Sequence, residues 1–237
     1  MTRQQAEAPA VDLSCLAENH LLSQLQPEEL EEVRQFSRVV AFDRDEVIFS
    51  KGDDGDSLFV ILDGRIGIRT VSESGKQLFL NILEQGEVLG EIGLLDGRER
   101  TAGAMAMEPS RLLKIDRTDF IPFLERHPKL GLRLMSVLCE RLRWTSEIIE
   151  STIFLDIPRR LAKRLLALAE DHGGPEDKGT KVSIGLSQED LANMLGATRE
   201  SVNKVLRSLQ RQGVIRYDRD NIVILDPRYL KALVSGD

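Results

Sequence analysis

The feature that most constrains this chain is a train of short apolar runs between Phe36 and Asp116. Residues 38–42, 46–50, 58–62, 66–71, 78–83 and 112–115 are each strand-length. Turn signals separate them, among them Lys51-Gly52-Asp53-Asp54-Gly55-Asp56, Asp63-Gly64 and Glu73-Ser74-Gly75. Ile66 and Ile68 alternate with Arg65, Gly67 and Arg69, as a half-buried strand requires. Many short strands at close spacing cannot bury their apolar faces one by one. They predict a small barrel or roll.

Helical periodicity flanks this region. Leu13, Leu16, Leu21, Leu22 and Leu25 precede it, followed by Pro27 and the acids Glu28 and Glu29, which suit a helix start. Beyond it, residues 117–124 read as a short helix, and residues 129–155 as a long one. On the long helix Leu134, Leu138, Arg141, Thr145, Ile148, Thr152 and Leu155 step by alternate fours and threes. That is a heptad seam of about three repeats, with polar residues in its middle. Phe154-Leu155-Asp156-Ile157-Pro158 reads as a hinge, because proline closes one helix and opens another. Residues 1–10 are polar and Ala-rich and are expected to be disordered.

A helix-turn-helix pattern follows an amphipathic helix at residues 159–171 and a Gly/Pro-containing loop at residues 172–178. Ser187 can cap the first helix, whose Leu191, Met194 and Leu195 face inward. Gly196 permits the tight turn, and Thr198 caps the second helix. There Val202, Val205 and Leu206 face inward, which leaves Arg199, Glu200, Asn203 and Lys204 outward at the helix start. Such positions enter a DNA major groove, where arginine reads guanine and glutamate accepts from cytosine. Residues 213–224 read as a β-hairpin wing, with Arg219 near its tip as a phosphate contact.

One stretch inside the β region carries different chemistry. Gly90-Glu91-Ile92-Gly93-Leu94-Leu95-Asp96-Gly97-Arg98-Glu99-Arg100-Thr101-Ala102 combines three glycines, an acid and an arginine–threonine pair. Backbone N–H groups of a Gly-rich turn, a guanidinium fork and a hydroxyl suit a phosphate. A carboxylate repels phosphate but accepts from a sugar hydroxyl, so the set describes a nucleotide. The competing reading is a surface loop with an ion pair between Glu91 and Arg100.

Charge supports two tasks. The net charge of −7 is unevenly spread. From Ile157 onward there are 14 Lys+Arg against 11 Asp+Glu, whereas the preceding part holds 18 against 28. The C-terminal part is thus basic, the rest acidic. Cys15 and Cys139 fit no metal-ligand spacing, and His20, His127 and His172 are scattered, so no metal site is expected. No secretory signal or membrane span is visible, which makes a cytoplasmic location the expectation. No nucleophile–base pair marks an enzyme, and after the helix-turn-helix no stretch could host a catalytic domain.

In this order of parts the chain resembles the cyclic-AMP receptor protein (CRP-FNR) family of bacterial transcription regulators. Gly90-Glu91-x-Gly93-Leu94 with Arg100-Thr101-Ala102 looks like the family's phosphate-binding cassette. Arg199-Glu200-Ser201-Val202 with Lys204 looks like its recognition helix, and Thr145-Ser146-Glu147 like its adenine-contacting stretch. The resemblance implies an α+β fold: a disordered leader at 1–12, and a cyclic-nucleotide-binding β-roll of the double-stranded β-helix type at 13–128. A dimerisation helix and hinge would follow at 129–156, then a winged helix-turn-helix at 157–237. It implies a homodimer that binds cyclic AMP, with cyclic GMP the alternative, and TGTGA-like palindromes in double-stranded DNA. It also implies a contact with RNA polymerase, for which the loop at 172–182 is the candidate.

Residue by residue, Glu91 would bind the ribose 2′-hydroxyl. Arg100 and Thr101 would hold the cyclic phosphate with backbone N–H groups of the Gly90, Glu91, Ile92, Gly93 turn. Thr145 and Ser146 would reach the base, one from the partner subunit, which explains the polar notch beginning at Arg141. Arg199, Glu200 and Lys204 would read bases, while Ser187, Thr198 and Ser201 touch phosphates. Two departures stand out. The cassette is one residue shorter around Asp96-Gly97, and Lys204 replaces an arginine, which loosens one base contact. Cys15 alone cannot supply the iron–sulfur ligands used in another branch of the family. A ligand-independent regulator with a vestigial cassette is the rival of the same fold, and a cyclic-nucleotide-regulated enzyme the rival of another class.

Overall fold

The computed structural model describes residues 21–23, 25–72, 77–176, 179–182, 187–218 and 221–236. The expected leader, Cys15, His20, the first leucines of the N-terminal segment and Arg219 lie outside the described residues. Helix α1 (Pro27–Gln35) begins as expected on a proline and two acids, and Glu29 accepts from the backbone N–H of Gln26 at 2.7 Å. Strands β1 (Ser37–Phe42), β2 (Val47–Phe49), β3 (Ser57–Asp63), β4 (Ile66–Val71), β5 (Gln77–Leu83) and β6 (Val88–Leu89) follow. Then come α2 (Glu91–Asp96), β7 (Gly103–Ala106), β8 (Ser110–Asp116), α3 (Arg117–Arg126) and the long α4 (Pro128–Phe154).

These strands form two antiparallel four-stranded sheets, ordered β1-β8-β3-β6 and β2-β7-β4-β5. Strand β3 explains the packing. Its run Ser57-Leu58-Phe59-Val60-Ile61-Leu62 is buried on both faces, which a central strand covered on both sides requires. Phe59 and Ile61 join Ile66, Leu83, Ala104 and Ala106 in one cluster. Leu58, Val60 and Leu62 join Phe120, Phe123, Leu130 and Leu134 from the helices in another.

The remaining elements are α5 (Ile157–His172), β9 (Gly173–Glu176), β10 (Gly179–Val182), α6 (Gln188–Leu195), α7 (Arg199–Arg211), β11 (Ile215–Asp218), β12 (Asn221–Ile224) and α8 (Pro227–Ser235). Pro158 opens α5 as expected, with Asp156 accepting from the Arg159 N–H at 3.1 Å. Leu161 and Leu165 of α5, Leu191 and Leu195 of α6, Val202 and Leu206 of α7, and Leu230 of α8 are buried. The chain divides into two compact units. One holds residues up to Thr70 with 80–143, the other residues 71–79 with 144–237, and the division on α4 falls between Arg143 and Trp144. No helix among the described residues is long and apolar enough to cross a membrane.

Three expectations change. The loop expected at 172–178 is the start of a hairpin: β9 and β10 pair and extend the wing into a sheet ordered β11-β12-β10-β9. Gly173, Gly174 and Pro175 read as turn residues, but here they form an edge strand, where proline needs no ladder partner. Helix α8, which carries Leu230 into the core, was not anticipated at all. Leu134 and Arg141 of the expected heptad seam are taken up by the roll, whereas Met135, Leu142, Ile149 and Ile153 are exposed. Moving one residue along, Met135, Leu142 and Ile149 recur every seven and alternate with Leu138, Thr145 and Thr152.

Candidate functional site

The glycine-rich stretch is built around a buried guanidinium. Gly90 adopts a left-handed conformation at φ +83°, and a Cβ there would lie 2.4 Å from Arg100 Nη1. The backbone can therefore bring its carbonyl against that nitrogen, and Arg100 Nη1 donates to Gly90 O at 2.8 Å. Arg100 Nη2 donates to the hydroxyl of Ser57, itself buried, at 2.9 Å, and the guanidinium lies 4.4 Å from the centre of the Phe49 ring. Arg100 is 4 % exposed, and its Nε is buried without a hydrogen-bond partner. Burial holds this guanidinium below the ordinary arginine pKa, and the charges of Asp56, Glu91 and Asp53 oppose that shift.

The backbone on either side is fastened as well. Gly52 N–H donates to Arg100 O at 3.0 Å, and Arg100 N–H to Asp53 O at 2.8 Å. Gly55 and Gly93 meet face to face: a Cβ on Gly93 would sit 2.9 Å from Gly55 Cα. The loop carrying Asp56 and Ser57 is thereby pressed against α2.

Glu91, the first residue of α2, is also 4 % exposed. Its carboxylate meets Arg141 of α4 at 3.5 Å, and Arg141 also donates to Val88 O at 3.0 Å. The simple alternative of a surface Glu91–Arg100 ion pair does not hold, since both side chains are buried and Glu91 pairs with Arg141. An open cavity of about 860 Å³ runs along residues 54–56 and 96–101 and past Arg117, so Arg100 and Thr101 both border it. That is ample for a nucleotide.

Of the sequence-predicted nucleotide residues, the structure brings together Gly90, Glu91, Arg100 and Arg141. Ile92 and Gly93 continue α2, and Thr101 is exposed beside Arg100. Thr145 and Ser146 are exposed on α4, in the second unit. Sequence reasoning missed Ser57, Asp56 and Phe49. Asp56 and Ser57 stand at the end of a turn-rich stretch and Phe49 in a strand run, and a partner over 40 positions away leaves no trace in local pattern.

The second site is α7. Ser187 caps α6, accepting from Asp190 N–H at 3.1 Å while Asp190 accepts from Ser187 N–H at 2.9 Å. Gly196 turns the chain at φ +57°, and Thr198 accepts from Ser201 N–H at 3.2 Å to start α7. Val202, Leu206 and Leu209 bury one stripe. Met194 and Val205, expected inward, are half-buried, while Ala192 takes an inner place. Arg199, Glu200 and Lys204 are exposed. A shallow cavity of about 840 Å³ runs along Glu200, Asn203, Lys204, Arg207, Gln210 and Arg211.

Comparison with known proteins matches both parts of the chain as domains. Residues 39–127 match the cyclic nucleotide-binding domain, and residues 159–233 match the Crp-like helix-turn-helix domain. The CRP-like cAMP-activated global transcriptional regulator of Mycobacterium tuberculosis is 31% identical over 215 residues, covering 91% of this chain and 96% of that one. The global nitrogen regulator of a Synechocystis species is 29% identical over 191 residues, covering 80% of this chain and 85% of that one. A CRP/FNR-family transcriptional regulator of Thermus thermophilus superposes with a TM-score of 0.70 at 29% identity, over 84% of this chain and 98% of the other. These relatives are transcription regulators, not enzymes. A nucleotide-binding roll followed by a Crp-like DNA-binding head, matched along nearly the whole of a relative, makes this chain a member of the CRP-FNR family of transcription regulators.

Proposed function

We propose that this transcription regulator is a homodimer gated by cyclic AMP that binds TGTGA-like palindromes. The observation that carries this reading is that one cassette buries two separate charges of opposite sign, Arg100 and Glu91, each 4 % exposed. Burying a guanidinium with an unpartnered Nε is costly, and a bound phosphate offsets that cost. A ribose hydroxyl suits Glu91, and the relative named as cAMP-activated supports the identity of the effector. Cyclic GMP is the alternative.

In this reading Gly90, Glu91, Ile92, Gly93, Arg100 and Thr101 hold ribose and phosphate, beside Arg141. Thr145 and Ser146 reach the base, one from a second copy. The exposed apolar stripe of Met135, Leu142, Ile149 and Ile153 supports dimerisation through α4. Residues 13–128, 129–156 and 157–237 then serve as sensor, dimer helix with hinge, and DNA head. Ser187, Thr198 and Ser201 contact phosphates, and Arg199, Glu200 and Lys204 read bases. Two such heads sit about 34 Å apart on a palindrome. Nucleotide and DNA strengthen one another's binding reciprocally, since both act on one equilibrium. A cytoplasmic location and contact with RNA polymerase complete the proposal.

One observation favours a ligand-independent regulator: Gly90 O, Ser57 and Phe49 already engage Arg100. Calorimetric titration of cyclic AMP and cyclic GMP, with and without a TGTGA palindrome, separates the two. Cyclic-AMP binding that tightens on DNA addition is expected. Absence of binding by either nucleotide, with DNA affinity intact, gives the cassette a purely structural role.

A further inference from the structure

A single side-chain oxygen of α6 ties together two side chains at the start of α7. Gln188 is the first residue of α6, half-buried, and its Oε1 accepts from two side chains of α7 at once. Asn203 Nδ2 donates to it at 3.1 Å, and Arg199 Nε at 3.4 Å. A carbonyl oxygen has two lone pairs, so both donors are served. Arg199 and Asn203 are four residues apart and share one helix face. Asn203 also borders the cavity along α7, where Glu200 and Lys204 lie.

What these bonds leave over matters more than what they consume. Arg199 engages Nε through the longer contact, which restrains its guanidinium and leaves both terminal nitrogens as a fork. Such a fork fits guanine O6 and N7. Asn203 spends one N–H of its amide, which fixes the sense of the amide plane. It keeps a second N–H and its Oδ1, the pair that fits adenine N7 and N6. Without that anchor the exposed Arg199 and the half-buried Asn203 would sample several rotamers, and ordering them on contact weakens discrimination.

We propose that Gln188 is a positioning residue that presets Arg199 as a guanine reader and Asn203 as an adenine reader, one helical turn apart. This rests on the reading of α7 as the helix that enters the major groove. A helical turn rises about 5.4 Å, so the two readers address base pairs one or two steps apart in each half-site. Asn203 becomes a specificity residue in addition to Arg199, Glu200 and Lys204.

The test is selection from a randomised palindromic DNA library by the full chain, with saturating cyclic AMP in one arm and none in the other. Wild type, Asn203→Ala, Gln188→Ala and Gln188→Glu are compared, with affinity for mixed-sequence DNA measured alongside. Asn203→Ala is expected to lose about 10-fold preference for adenine at one position per half-site, the worth of a good bidentate contact. Gln188→Ala is expected to weaken the guanine and the adenine preference together, each about threefold, and to leave mixed-sequence affinity unchanged. Gln188→Glu keeps the acceptor, so it retains both preferences while its added negative charge lowers affinity for every sequence. Alanine suits a helix at both positions, and the glutamate variant carries the test if Gln188→Ala loosens the head.

Two results overturn the proposal: unchanged adenine preference in Asn203→Ala, or a loss of affinity in Gln188→Ala that is equal on all sequences. A wild-type pool without enriched sequence in either arm fails at an earlier step. It overturns α7 as a base reader, and the role of Gln188 with it.

Discussion

The cassette and the recognition helix both carry arginine and glutamate, yet they hold them in opposite ways. Arg100 and Glu91 are buried, and protein groups define their positions. Arg199, Glu200 and Lys204 are exposed on a helix whose start is fixed by caps. A buried charge interacts strongly at short range and is hidden from salt, so it suits a small ligand that is enclosed. An exposed charge is screened, but it can meet a polyanion too large to enclose. On the proposed reading, binding at the cassette should therefore respond weakly to salt and binding at α7 strongly.

The largest effect expected from that contrast is ionic. If a dimer makes six to ten phosphate contacts, raising salt from about 50 to 200 mM should lower DNA affinity by about 10³-fold or more. Nucleotide affinity over the same range should fall only a few-fold. Fluorescence anisotropy for DNA and calorimetry for the nucleotide give the two slopes, and equal slopes would break the contrast.

Next in size is Arg100→Ala. Removing a buried charge-assisted partner should reduce cyclic-AMP affinity on the order of 100-fold and leave nonspecific DNA binding intact. Undiminished calorimetric affinity would remove Arg100 from the ligand site. Arg199→Ala should cost about 1–3 kcal/mol of discrimination at one base pair and leave nucleotide affinity alone. A gel shift series over single-base operator variants checks it, and unchanged discrimination counts against the assignment. The smallest effect is Thr198→Ala, which removes the cap accepting from Ser201 N–H and should destabilise the head by about 1 kcal/mol. A melt monitored with and without cyclic AMP should show the same loss in both.

The two regions also differ in how far they can be read from sequence. The helix-turn-helix was legible nearly residue by residue, because its signals are local. A cap, a glycine turn and a 3.6-residue apolar stripe lie within 20 positions, and the structure uses Ser187, Gly196, Thr198, Val202 and Leu206 as expected. In the cassette, residue types pointed to the chemistry but not to the partners. Ser57 is 43 positions from Arg100, and Arg141 is 50 from Glu91. The hairpin at Gly173–Glu176 and Gly179–Val182 was hidden by glycine and proline, which carry no strand pattern of their own.

The long helix shows the same boundary most plainly. A heptad seam through Leu134, Arg141 and Ile148 was written in the sequence, and the adjacent Met135, Leu142 and Ile149 repeat with the same period. Burial of Leu134 in the roll and the pull of Val88 O and Glu91 on Arg141 chose between them, leaving Met135, Leu142 and Ile149 exposed. What the sequence by itself determined was the succession of elements, the helix starts and turns, and the kinds of charge at each site, since these follow from backbone preference and short-range spacing. Which face of α4 stays free, and which charges are buried with which partners, only the tertiary structure decided. Those outcomes depend on desolvation and on contacts between residues far apart in the chain.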